Sequence, residues 1–358
     1  MPRILHTSDF HINALRKFPD FYLQRVRSTL NEISLLAKKE EVDYIVMAGD
    51  VYHRLDILHE ERNIFSEWLR KIKVPVIGIS GNHDKRTVEI GDTSLAYLSK
   101  LPVNHVIHDG PPCAVEMEDC TFILFPYEKW DDYEFYLILE SRLESQVNYK
   151  PIVVVMHEAI SGCTIDGGFE IPAKIHLDSE LLAKFPLVTY WALGDMHSKQ
   201  SLAPNVWYSG APHQTNFGEN RGKGVLIVDT DDPTNPEFFE IDSMPLEVVT
   251  GPYYPDLEWD PKILFKYVPD HVLPANAFFP SNVIVEEKFG SVRKNEDTLG
   301  QESMVGIFYG LEDTLLRLGL KSDLVPVAVK LAHKSAKELR ISVVSEKEQD
   351  KKVTTQDA

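Results

Sequence analysis

Five short apolar runs in this chain each end in side chains that can bind a metal ion. The run Arg3-Ile4-Leu5-His6-Thr7-Ser8 ends in Asp9-Phe10-His11, and Tyr44 to Gly49 ends in Asp50. Val74 to Ser80 ends in Gly81-Asn82-His83-Asp84, Ile152 to Met156 ends in His157, and Val188 to Leu193 ends in Gly194-Asp195-Met196-His197. Two divalent ions about 3.5–4 Å apart can clamp the attacking and leaving oxygens of a phosphoester. Such a pair needs one bridging carboxylate and further nitrogen and oxygen ligands on each ion. Imidazole and carboxylate suit first-row ions such as Mn²⁺, and the absence of Cys from the set argues against a structural zinc site. A single Asp or His after a strand is an ordinary turn former; five in this order point to chemistry.

The elements that must position these residues are legible from periodicity. Each run has the length and β-branched content of a strand. Open α/β sheets bind ligands beyond the carboxyl ends of their strands, so residues far apart in sequence would meet at one edge. Asp20 to Lys38 reads as a helix, with Leu23, Val26, Leu30, Ile33 and Leu36-Ala37 on one face, and Asp56 to Ile72 as another. Helix and strand alternate through residue 110, the pattern of α/β layers. Cys113 to Phe125 is more β-like, Asp131 to Val147 is helical, and Val225 to Val228 is a strand. Asp229 to Pro236 is a turn or short linker. Phe278-Phe279 and Val283 to Val285 are expected strands in a Pro- and aromatic-rich stretch. Residues 302–341 read as a helical pair turning at Gly319 to Ser322, and Glu346 to Ala358 as a disordered tail.

The ordered set D-x-H, G-D, G-N-H-D, H and G-D-x-H resembles the calcineurin-like metallophosphoesterase superfamily, and most closely its SbcD-like nucleases. His53, three residues after Asp50, and the segment Trp207 to Pro212 followed by Asn216-Phe217-Gly218-Glu219 and Lys223-Gly224 carry the narrower likeness. The resemblance implies a calcineurin-like α/β fold of sheet layers flanked by helices. It divides the chain into a nuclease domain over 1–243, a capping domain over 244–300, a helical ATPase-docking element over 301–342 and a tail over 343–358. It implies that Asp9, His11, Asp50 and His197 hold one ion, and that Asp50, Asn82, His157 and Asp195 hold the other. His83 would stabilise the charge of the scissile phosphate, and His53 would assist the transition state or the leaving oxygen. The superfamily usually has His where this chain has Asp195; the residue either ligates or is a turn former.

By the same resemblance the chain is a metal-dependent DNA nuclease subunit, with both exonuclease and endonuclease activity open, using two Mn²⁺ or Mg²⁺ ions. Its expected partners are DNA, an SbcC-like ABC ATPase with a long coiled coil, and a second copy of itself. A small-molecule phosphodiesterase and a non-catalytic scaffold subunit are the competing readings. Composition fits: 43% of the 358 residues are apolar, and no run of 18 or more apolar residues predicts a membrane span. The chain enters a strand at once, with no signal peptide expected. Cys113, Cys120 and Cys163 read as free thiols in a reducing compartment, and the resemblance implies the cytoplasm of a bacterium or of a phage-infected host. The net charge of −18 is unusual for a nucleic-acid enzyme, since phosphate binding ordinarily shows as a basic patch. Lys85-Arg86 and Arg221-Gly222-Lys223 are the local clusters best placed to contact DNA, or else a partner supplies the contacts.

Overall fold

Alternate residues of a strand face opposite sides, and in this chain both sides are apolar. That pattern calls for sheets covered on both faces. The computed structural model describes residues 1–18, 21–85, 93–100, 104–128, 131–144, 150–165, 170 and 185–286. Strands β1 (Arg3–Thr7), β2 (Tyr44–Ala48), β3 (Val76–Ile79) and β4 (Val106–His108) lie parallel in one sheet. The antiparallel strands β11 (Gly224–Asp229) and β12 (Glu237–Glu240) extend it, giving the order β12-β11-β1-β2-β3-β4. A second sheet has the order β5-β6-β7-β8-β10-β9, from β5 (Cys113–Glu116), β6 (Thr121–Phe125), β7 (Ile152–His157), β8 (Tyr190–Gly194), β9 (Gln200–Ala203) and β10 (Val206–Tyr208).

The two sheets pack face to face. Ile4, Val46, Ala48 and Ile77 from the first meet Phe122, Leu124, Val153 and Val155 from the second in one fully buried layer. The opposite faces carry the helices. Ile45 and Met47 pack with Leu30 and Ile33 of α1 (Tyr22–Lys39) and Phe65 and Leu69 of α2 (His59–Lys71). Val154 and Met156 pack with Phe135 and Leu139 of α3 (Asp132–Glu144). Lys38 and Lys39 in the last turn of α1, and Glu60 and Glu61 in the first turn of α2, complement the helix dipoles. The expected calcineurin-like α/β layers are therefore present, and the β-like stretch from Cys113 is a hairpin of β5 and β6. The three cysteines are free.

A third, all-parallel sheet follows, of β13 (Leu246–Gly251), β14 (Leu264–Pro269) and β15 (Val283–Val285). Leu246 and Leu264 seat it against Leu15, Phe18 and Tyr22. Phe278 and Phe279 are not a strand, contrary to the sequence expectation. Phe279 instead packs on Tyr253, Trp259 and Tyr267, and Phe278 is exposed. Aromatic residues favour strands because they fit a half-buried pleated surface, but in this loop they serve packing without a ladder. The helical pair and the tail lie outside the described residues.

A polar tie crosses the inter-sheet layer at His6. His6 of β1 donates from Nε2 to the Leu193 carbonyl at 3.2 Å and accepts at Nδ1 from the Tyr190 hydroxyl at 3.0 Å. Burial holds its pKa at about 3, so the ring stays neutral. His213 is similar: burial, with the nearby Arg25 charge, lowers it to about 3. It donates to the Phe10 carbonyl and accepts from Thr29. Both folded pKa values lie below the ordinary 6.5, so their contribution to stability is full above pH 6.5 and is lost as pH falls toward 3. Each ring thus adds a slope of up to about 1.4 kcal/mol per pH unit in that window. Urea unfolding between pH 7 and pH 4 should show this decline, and His6→Gln should remove one histidine's share of the slope while lowering stability at pH 7.

Candidate metal centre

Six of the seven sequence-predicted ligands sit in the turn after a strand, and His157 is the last residue of β7; the turns are strained in a consistent way. Asp9, His11, Asp50 and Asp195 all have positive φ (55°, 45°, 54° and 94°), a region that L residues enter at a cost of order 1 kcal/mol or more. Three glycines make room for them. A Cβ at Gly49 would fall on the His157 ring, one at Gly81 on the Asp50 carboxylate, and one at Gly194 on the Ala48 carbonyl.

Asp50 is the meeting point. Its Oδ2 lies 3.5 Å from both His11 Nε2 and His157 Nε2, and its Oδ1 accepts from the His83 amide at 2.9 Å. On one side stand Asp9, His11 and His197: the His11 and His197 Nε2 atoms are 3.0 Å apart, and each is 3.9 Å from Asp9 Oδ1. On the other side His157 Nε2 is 3.0 Å from Asn82 Oδ1 and 3.7 Å from Asp195 Oδ1. Asp195, half-buried, therefore faces the cluster, and its amide donates to Asp9 Oδ2 at 3.2 Å. His53 and His83 stack at 4.7 Å between ring centres and stand beside His11, both half-buried.

These residues fit a pair of divalent ions. Asp9 Oδ1 is buried with no hydrogen-bond partner. The surroundings fix which nitrogen faces the cluster: His157 Nδ1 donates to the Ala48 carbonyl at 2.7 Å and His197 Nδ1 donates to Glu219 Oε1 at 2.8 Å, so Nε2 is the nitrogen that each turns inward and that would ligate an ion. Carboxylate, amide and imidazole donors from both sheets thus converge, and without an ion the protons held by His157 and His197 offset part of the carboxylate charge. The charges respond to one another. Burial works against the Asp50 carboxylate, yet the charges of His157 and His11 hold it well below the usual range. Burial pushes the His11 ring well below its usual value.

Several supporting residues carry no sequence signal of their own. Asp84 accepts from the amides of Val51, Tyr52 and Gly81 and from the Ser94 hydroxyl, which ties the turn after β2 to the turn after β3. Burial and the neighbouring Asp50 charge raise it to about 6. Asn13 Oδ1 accepts from the amides of His53 and Arg54 and so orients the His53 turn. Asp84 closes the G-N-H-D motif and Asn13 lies two residues after His11, so position relative to the ligands is the available signal.

The expected DNA contacts fare differently. Lys85 is only 8% exposed and its ammonium is given to the Tyr127 carbonyl. Lys223 is only 7% exposed and its Nζ donates to the His197 carbonyl at 2.8 Å and to Glu219 at 3.1 Å. Neither is the solvated phosphate contact expected from sequence; both brace the turns that carry the ligands. Arg221 is exposed and paired with Glu247. Arg86 lies outside the described residues. No helix among the described residues is long and apolar enough to cross a membrane.

The chain is similar to known proteins. The family model of calcineurin-like phosphoesterases matches residues 2–199. The chain is 27% identical over 283 residues to the D component of nuclease SbcCD from Staphylococcus epidermidis, spanning 70% of this chain and 73% of that protein. It is 29% identical over 260 residues to the same component from Bacillus subtilis, spanning 63% of this chain and 66% of that protein. Among solved structures, TT1561 of Thermus thermophilus superposes over 67% of this chain and 99% of its own, at 14% identity and a TM-score of 0.42.

The Glu219–His197 pair gives a direct test of the local electrostatics. Burial lowers the His197 pKa, but the Glu219 hydrogen bond and the Asp9 charge raise it to about 9 in the metal-free protein. Glu219 is in turn held at about 2, its burial outweighed by the His197 hydrogen bond and charge. Replacing Glu219 by Gln should let the His197 pKa fall toward 6.5, which a pH series of histidine ring NMR signals will read.

Proposed function

This chain belongs to the calcineurin-like phosphoesterase family, and on that premise we propose that it is a DNA nuclease subunit of an SbcCD-like recombination and repair complex. The observation that carries the reading is the convergence of Asp9, His11, Asp50, Asn82, His157, Asp195 and His197 from five strand ends of two sheets around Asp50. Asp9, His11, Asp50 and His197 hold one divalent ion; Asp50, Asn82, His157 and Asp195 hold the other, with Mn²⁺ favoured and Mg²⁺ acceptable to the same hard donors. When bound, the ions supply the positive charge that offsets charge developing on the transferring phosphoryl group. His83 and His53 border the cluster with half-buried rings: His83 stabilises the charge of the scissile phosphate, and His53 assists the transition state or the leaving oxygen. His83 Nδ1 donates to the His53 carbonyl at 3.0 Å, which leaves Nε2 for the substrate. The name of the two SbcCD relatives supports a DNA substrate and an SbcC-like ATPase partner. A homodimer and a cytoplasmic site of action belong to the same reading, with residues 244–300 capping the catalytic domain.

One set of observations favours a second reading. The net charge is −18 and two of the expected phosphate contacts are turned inward, which suits a small phosphodiester on the same catalytic residues. Purified chain supplied with Mn²⁺ and offered labelled linear duplex DNA, then bis-p-nitrophenyl phosphate, separates the two: cleavage of the small ester alone, even with the ATPase present, would overturn the nuclease reading. His83→Ala should lower turnover of both substrates by about 10²-fold or more, the scale of a lost donor to developing charge, while bound Mn²⁺ measured by mass spectrometry stays unchanged.

Residues 302–341 are the proposed ATPase-docking element. Their deletion should leave hydrolysis of the small ester intact and abolish co-purification with the ATPase; equal capture by both forms would assign them to packing instead.

A further inference from the structure

The ring of His11 faces two ways. Its Nε2 looks into the carboxylate cluster, 3.5 Å from Asp50 and 3.0 Å from His197 Nε2, while its Nδ1 looks outward and lies 3.3 Å from His53 Nδ1. His83 completes the outer group: one ring nitrogen from each of His11, His53 and His83 lies within 4.8 Å of the others. Tetrahedral Zn–N bonds of about 2.0–2.1 Å place neighbouring donor nitrogens about 3.3 Å apart. The His11–His53 separation already has that value. Three imidazoles with an open fourth position are also the donor set of many zinc sites with an exchangeable ligand, and softer late first-row ions prefer imidazole to carboxylate.

We propose that His11, His53 and His83 form a separate site for a borderline-soft divalent ion, Zn²⁺ above all, and that its occupation is inhibitory. The donor set differs from that of the carboxylate pair, which has at least one carboxylate on each side. Only one nitrogen of a neutral imidazole carries a free lone pair, so His11 serves either the outer ion or the inner pair. The two occupations therefore oppose each other, and by linkage Zn²⁺ at the histidines weakens Mn²⁺ at the Asp9–His197 side by the factor that Mn²⁺ weakens Zn²⁺. The outer ion also occupies His53 and His83, the two rings that the proposed function reserves for the substrate phosphate. The inhibitory consequence rests on that proposal; the binding itself does not.

The test measures binding and needs no turnover. Asp50→Asn removes the central carboxylate charge, retains an oxygen to accept the His83 amide, and leaves all three histidines in place. That variant, its fold verified by circular dichroism, is titrated with Zn²⁺ by calorimetry. Histidine ring NMR follows the same titration. It should retain one tight Zn²⁺ per chain, with the His53 and His83 ring nitrogens shifting together. Adding His53→Ala should weaken that uptake by about 10-fold or more, the scale on which lost ligand support acts. In the wild-type chain, pre-loaded Mn²⁺ should raise the Zn²⁺ concentration needed to shift His53. Zn²⁺ uptake by Asp50→Asn that is indifferent to His53→Ala, or absent altogether, would overturn the site, whatever the outcome of the phosphodiesterase assays.

Discussion

The centre depends on one constraint: the edges of two sheets must approach until a single carboxylate can lie between histidines borne by both. The inter-sheet layer of Ile4, Val46, Ile77, Phe122, Val153 and Val155 provides the approach and its stabilising burial. Glycine permits its closest points. At Gly49, Gly81 and Gly194 any side chain would enter the space of His157, Asp50 or the Ala48 carbonyl. The left-handed backbone at Asp9, His11, Asp50 and Asp195 is the other side of the same constraint, since an extended exit from each strand would aim these groups away from one another. The packed layers supply the free energy that maintains this strain at the edge.

Once gathered, the site is held by neutral hydrogen bonding as much as by charge. The Ala48 carbonyl and Glu219 take the Nδ1 protons of His157 and His197 and fix which nitrogen points inward. Asp84 receives three amides and a hydroxyl, so two ligand-bearing turns move as one body. Lys223 reaches under His197 and pairs with the carboxylate that orients it. Such supports narrow the geometry of the donors before any ion arrives, which is how a protein selects coordination number and reduces reorganisation.

The charge distribution bears on how a substrate polyanion is met. With Lys85 and Lys223 bound internally and Arg221 paired to Glu247, little free positive charge surrounds the cluster among these candidates. Under the proposed function, attraction for phosphate at the site then falls to the ions and to His53 and His83. Affinity for a long nucleic acid would gain from cationic surface elsewhere in an assembly.

The sequence by itself determined the five donor-bearing strands, the two main helices and the identity of the gathered donors. Apolar runs of strand length ending in Asp or His are local signals, and Asp9, Asp50, Asn82, His157 and His197 all stand where those runs stop. It did not determine that the loop aromatics Phe278 and Phe279 lie outside a strand, because the packing of Phe279 on Tyr253 and Trp259 involves contacts remote in the chain. Nor did it determine that Lys85 and Lys223 turn inward, since a lysine beside a turn has the same composition whether its ammonium meets water or the carbonyls of Tyr127 and His197. Direction is a tertiary property: the inward face of His11, the burial of His6 between the sheets and the donation from the Asp195 amide to Asp9 arise only when two separately legible sheets are pressed together, because each depends on a neighbour more than 100 residues away. Residue type and periodicity are written locally, whereas partners are chosen by packing.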